Sequence, residues 1–187
     1  MPRQKQYNEQ EVVEKAMLLF WENGYESTSV RMLEKKMGIN QFSIYSSFGS
    51  KQNLFLESLK CYREKMNEII EVLEKSKNSL AAIKDYFFNF LKFSKSDNQC
   101  RGCLVTNTFN ELMLKSEPTL FNELMKFTEE IKRLFTKILS RDLNKSQETI
   151  ERQANYLLAS ILGLSVSSKI LSEQQLNDYI NTVFEQL

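Results

Sequence analysis

Histidine is absent from this chain of 187 residues. That absence removes the side chain most used as a general base near neutral pH and as a neutral metal ligand. A zinc site could then draw only on cysteine and acidic side chains, so neither a metal nor another cofactor is expected. Proline and glycine are scarce, at two and five residues, which points to long helices joined by few turns. No run of about eighteen apolar residues occurs, so a membrane span is not expected. Residues 1–10 are polar and lack the apolar core of a secretory signal. Three cysteines, an odd number, then fit a reducing cytoplasm better than a disulfide scaffold. A glycine-rich phosphate loop and a strand–helix alternation are also missing, which argues against an enzyme.

The composition is that of an ordinary globular protein, 42% hydrophobic and 26% charged. The length suits one sizeable core, or two small units sharing a long helix. A net charge of +1 does not by itself announce a nucleic-acid partner. The local balance is more telling: Arg31, Lys35, Lys36 and Lys51 stand against Glu34 alone over residues 31–51. Binding through such a modest basic footprint would be salt-sensitive, because neutralised phosphates release counterions.

That same stretch carries the clearest pattern in the chain. Thr28 or Ser29 can cap a helix in which Val30, Leu33 and Met37 form one buried stripe. Gly38 stands where that helix stops, since glycine takes the left-handed conformation without penalty. Ile39 is an apolar plug, and Asn40 caps a second helix containing Gln41 to Ser47. Ile44 and Phe48 face inward, leaving Gln41, Ser43, Ser46 and Ser47 outward, with Tyr45 at the rim. Ser50 caps the next helix and Lys51 lies in its first turn, beside N–H groups that favour an anion. Two short helices about a glycine-containing turn are the helix-turn-helix pattern, whose second helix enters the DNA major groove. A plain pair of core helices with a solvated face is the alternative.

Phe20, Gly24, Tyr25, Thr28 to Arg31, Gly38, Ile39, Ile44, Tyr45, Phe48 to Lys51, Leu54 and Phe55 together resemble the DNA-binding domain of the tetracycline-repressor (TetR) family. The resemblance covers roughly residues 9 to 58. It implies an all-α, homodimeric one-component repressor. Residues 1–50 would form a three-helix domain that binds a palindromic double-stranded operator. Residues 51–187 would form a helical bundle, giving about nine helices in all, that dimerises and is released from DNA by a small, largely apolar inducer. Phe42 departs from the pattern, which has a small residue there. On this reading Thr28, Tyr45 and Lys51 position phosphates, and Gln41, Phe42, Ser43, Ser46 and Ser47 form the reading surface. Gln41 can pair with adenine, and Phe42 can meet a thymine methyl.

Before this stretch, Asn8 caps a helix from Glu9 to Asn23 with Val12, Val13, Ala16, Met17, Leu19 and Phe20 buried. After it, one helix is expected from Ser50 to about Lys77, too long for the small domain alone and therefore the connecting rod. Ser79 opens an aromatic-rich helix. Aromatic stripes at helical spacing are more often core than ligand cage. An inducer pocket would still draw on some of them, so Phe87, Phe90, Phe109 and Phe127 are its candidate walls. Asn107, Asn110 and Glu111 are the polar candidates. Cys100 and Cys103 form a C-x-x-C pair, read as structural cysteines, with thiol sensing and a thiol oxidoreductase as alternatives.

Ser116, Glu117 and Pro118 open a helix to about Arg141. Ser146 caps another, from about Gln147 to Leu171. Ser172 to Gln175 form a capping box for the last. Small residues at Ala159, Ser160, Gly163 and Ser167, with the apolar faces of the last two helices, suggest a two-fold four-helix interface rather than an internal hairpin. A helical protein-interaction adaptor without DNA binding is the remaining alternative.

Overall fold

Asn8 starts the fold by accepting hydrogen bonds from the backbone N–H groups of Gln10 and Glu11, two donors that helix geometry leaves without an internal partner. The helix it opens, α1 (Glu9–Asn23), buries Val12, Ala16, Met17, Leu19, Phe20 and Trp21. Val13 is only partly buried. The computed structural model describes residues 7–76, 79–96, 99–112, 117–185 and 187. Nine α-helices make up nearly all of them.

α2 (Val30–Met37) and α3 (Gln41–Phe48) follow α1 and close a three-helix head. α4 (Lys51–Lys75) is one rod of 25 residues, capped by Ser50 at one end and stopped at Ser76. The expected extension to Lys77 lies outside the described residues. Leu54, Phe55, Leu59, Tyr62, Met66 and Leu73 are buried along the rod, with Ile69 and Ile70 partly so. The rod packs on α1 in the head, and on α5 (Ser79–Ser94), α6 (Leu104–Leu112) and α7 (Pro118–Leu139) in the bundle. One hydrophobic core therefore runs from head to bundle without interruption.

Between α5 and α6 the chain forms an element that helical periodicity does not announce. β1 (Lys95–Ser96) pairs antiparallel with β2 (Gln99–Cys100), Lys95 opposite Cys100. Pro118 takes the first position of α7, and Glu117 makes no side-chain cap bond. Ser116 lies outside the described residues. α8 (Gln147–Ser167) ends four residues before the expected Leu171. Its last carbonyls are satisfied by a turn in which Ser168 N–H reaches Leu164 and Leu171 N–H reaches Ser167. α9 (Glu173–Glu185) opens on the expected capping box. Ser172 Oγ accepts from Gln175 N–H, and Gln175 Oε1 accepts from Ser172 N–H at 2.9 Å.

The small residues of α8 are partly used within the chain. Tyr179 of α9 donates to the Ser160 carbonyl at 3.0 Å, and its hydroxyl lies where a side chain on Gly163 would come within 3.3 Å. Beyond that contact, Tyr156 and Val166 of α8, with Ile170 and Leu171 after it, remain exposed. No described helix is long and apolar enough to cross a membrane.

Candidate nucleic-acid interface

The head is held together by caps and by one carboxylate. Ser29 Oγ accepts from Met32 N–H and starts α2. Gly38 ends it at φ 73°, in the left-handed region where a Cβ would be strained. Asn40 then accepts from Ser43 N–H at 2.8 Å and starts α3. Glu34 of α2 accepts the backbone N–H of Gln41. This carboxylate crosses the turn, satisfies a second free donor of α3, and sits on the favourable end of the helix dipole.

Ile44 and Phe48 pin α3 to the core. The opposite face is open: Phe42 is 81% exposed and Tyr45 40%, with Gln41 and Ser46 also exposed. An exposed phenylalanine in a face otherwise polar is the unusual feature, since burying its ring is worth about 2 kcal/mol. Ser43 is half-buried. So is Ser47, whose hydroxyl is 2.5 Å from that of Tyr7. Lys51 stands at the end of this face, its ammonium 4.6 Å from the centre of the Tyr25 ring and 3.4 Å from the Glu26 carbonyl. Burial first, then the Glu117 and Glu26 carboxylates, push the Tyr25 phenol up to about 12, so the ring beneath Lys51 stays neutral and is a steady partner for a cation.

Thr28 departs from expectation. It is fully buried, and its hydroxyl donates to the Gly24 carbonyl at 2.6 Å. The end of α1 leaves that carbonyl without a helical partner, and Thr28 is the nearest donor. Ser29 alone caps α2, and the Thr28 side chain is not part of the open face.

The head is tied to the bundle by three polar contacts between residues some 80 positions apart in the sequence. Trp21 Nε1 donates to the Gly102 carbonyl at 3.1 Å. Arg101, 8% exposed, pairs with Glu22 at 2.9 Å. Glu111, expected as a pocket anchor, instead accepts the Glu26 backbone N–H at 2.8 Å. Trp21 carries no local signal beyond being aromatic, and nothing in the sequence marks Arg101 as buried.

Within the bundle, α4 to α8 line a small cavity of about 30 Å³. Phe90 and Phe127 line it. Phe87 does not: it packs edge-on to Phe184 at 5.2 Å and against Phe135. Phe109 meets Phe121 edge-on at 5.4 Å. Asn107 is held between the Arg101 carbonyl at 2.8 Å and Lys169 at 2.5 Å, and Asn110 is exposed. The cause is shared: α6 turns Leu104, Val105, Thr108 and Leu112 inward, so the asparagines fall on its other side. Cys103 also lines the cavity, accepting from Tyr62 Oη at 3.4 Å. Cys100 is half-buried, and neither is in a disulfide. Burial pushes the Tyr62 phenol well above its usual range, with Cys103 adding to the shift. Among the described residues no three His, Cys, Asp or Glu side chains gather as a metal site.

Comparison with known proteins bears on both parts. Residues 12–58 match the family of bacterial regulatory proteins described as the tetR family. Over 97% of this chain, the sequence is 28% identical to YezE of Bacillus subtilis, an uncharacterised helix-turn-helix transcriptional regulator, 96% of which is covered. It is 32% identical to IcaR of Staphylococcus aureus, a negative regulator of a biofilm operon, over 43% of this chain and 44% of that one. Among solved structures it resembles a cysteine mutant of the regulator CifR in complex with 26-base-pair operator DNA, with a TM-score of 0.86, 26% identity and 98% of both chains covered.

Proposed function

We propose that this chain is a transcriptional regulator of the TetR family, a homodimeric repressor that grips operator DNA with α3 and releases it when a small ligand enters the bundle. The observation that carries this is the α3 face. A helix of eight residues, capped by Asn40 and tied to α2 through Glu34, holds Gln41, Phe42, Tyr45 and Ser46 outward on a pinned backbone. That is a rigid surface of the width a major groove admits. Ser43 and Ser47 border it. Lys51 stands beside it to meet a phosphate, with Tyr45 as its partner at the rim. The operator complex of CifR and the negative control exercised by IcaR support DNA binding and repression as the mode of action.

The two-fold partner is a second copy of this chain. The uncovered apolar side chains Tyr156, Val166, Ile170 and Leu171 would meet their equivalents across the axis, and a palindromic site would be read by one α3 per half.

Selection from a random duplex pool with the purified protein tests this reading. The expected product is an inverted repeat whose halves lie at least one helical turn apart. A single unrepeated motif, or no enrichment, would overturn it.

A further inference from the structure

The cavity lined by α4 to α8 has a buried hydroxyl left over. Thr106, 7% exposed, lines it, and among the described residues its hydroxyl has no hydrogen-bond partner. A threonine in a helix commonly donates to the carbonyl four residues back, as Thr108 does to Leu104 and Thr128 to Leu124. For Thr106 that carbonyl belongs to Gly102, which accepts from Trp21. A buried hydroxyl without a partner is costly, and structures rarely leave one so.

We propose that this cavity is the seat of an uncharged small molecule with an apolar body and one hydrogen-bonding oxygen, such as an alcohol, phenol or ketone, anchored by Thr106 and admitted past Phe127. The proposal rests on the inducer reading above and gives that inducer a chemical class.

Three features set the class. No charged side chain lines the cavity, and an unpaired charge placed there would carry a large desolvation cost. The walls are mostly apolar, with Tyr86, Phe90, Phe127 and Ile161 among them. The Cys103 N–H and the Thr128 hydroxyl are already bonded, to Ser165 Oγ and to the Leu124 carbonyl, which leaves the buried Thr106 hydroxyl as an anchor, with the Tyr86 phenol also on the lining. At about 30 Å³ the space suits a single oxygen atom, whether of water or of a ligand; a ring needs about 150 Å³.

The missing room lies next door. Phe127 and Ile131 line both this cavity and an outer groove of about 330 Å³ between α4 and α7. Phe127 and Ile131 thus form the partition, and the Phe127 ring is the larger part of it. On the groove side that ring lies 5.7 Å from the Arg63 guanidinium, and Arg63 is paired with Glu130. Swinging Phe127 into the groove joins the two spaces.

The test uses the full chain, titrated with benzyl alcohol and with toluene, which differ by the hydroxyl. Trp21 is the one tryptophan. It meets Tyr62 edge-on at 5.1 Å, and Tyr62 lies 6.2 Å from Phe127, so its fluorescence reports on the site. Saturable binding is expected, with benzyl alcohol about tenfold tighter than toluene. Thr106→Ser keeps that preference and Thr106→Val removes it. Phe127→Leu tightens both probes severalfold by lowering the cost of opening. Equal affinity for the two probes, an unchanged preference in Thr106→Val, or no saturable binding would overturn the site. A parallel titration of protein bound to its selected duplex separates the two readings. Release by benzyl alcohol supports both. Binding to the free protein without release keeps the site and removes its inducer role. Failure to bind any duplex overturns the DNA reading and leaves the site intact.

Discussion

Glu111 of α6 reaches across to the turn after α1 and accepts the backbone N–H of Glu26 at 2.8 Å. The bond joins the part of the chain that walls the cavity to the part that sets the angle of the helix-turn-helix. Lys51, beside α3, approaches the carbonyl of the same Glu26. Glu111 and Lys51 therefore meet on one turn at the base of the reading head.

Glu111→Ala removes this acceptor and should lower stability by about 1–3 kcal/mol, with faster amide exchange at residues 24–29 than elsewhere in the head. Glu111→Gln keeps an acceptor oxygen and should lose less. Hydrogen exchange on the two variants checks the ordering. Equal exchange in wild type and Glu111→Ala would mean that the contact does not hold the turn.

The carboxylate of Glu111 also fills the space beside Gly24. A Cβ there would lie 1.7 Å from Glu111 Oε1, on a backbone at φ 85°. Gly24→Ala should cost about 1–2 kcal/mol from the backbone alone, and more from displacing the carboxylate. Thermal unfolding of Gly24→Ala and of Gly24→Ala with Glu111→Ala separates the terms, since the double variant relieves only the clash.

Asn40 caps α3 while Glu34 holds the neighbouring donor. Asn40→Ala should lower stability by about 1 kcal/mol and weaken DNA binding beyond that, because the first turn carries Gln41 and Phe42. Denaturant unfolding and duplex binding, measured together, check that affinity falls more than stability explains.

Lys51→Ala should weaken selected and scrambled duplexes by the same factor, and reduce the slope of log K against log salt by about one. Anisotropy titrations over a salt series read both quantities. A loss confined to the selected duplex would place Lys51 at a base edge instead.

Much of the head was legible because its signals are local. Asn8, Ser29, Asn40 and Ser50 cap the helices expected of them, and Gly38 takes the left-handed conformation. Such signals act within one turn of helix and need no knowledge of the remaining fold. Thr28 was not legible. Whether it or Ser29 capped α2 depended on the Gly24 carbonyl, an acceptor created by the end of a different helix. The bundle was harder for the same reason. Phe87 and Phe90 share a helix and differ only in what faces them, and Glu111 finds its partner 85 residues away. The short β1–β2 pair is set by closure between α5 and α6, and it is too brief for an alternating pattern.

The exposed face of α3 is expected to read bases directly, once in each half of a two-fold site, and Phe42 is its most distinctive member. Selection from a random duplex pool should be run in parallel on wild type and Phe42→Ala. An inverted repeat is expected from both, with unchanged spacing, and a loss of preference in Phe42→Ala at one symmetry-related pair of positions, centred on a thymine whose methyl group the ring contacts. Identical preferences from the two proteins, or a site without two-fold symmetry, would contradict this reading.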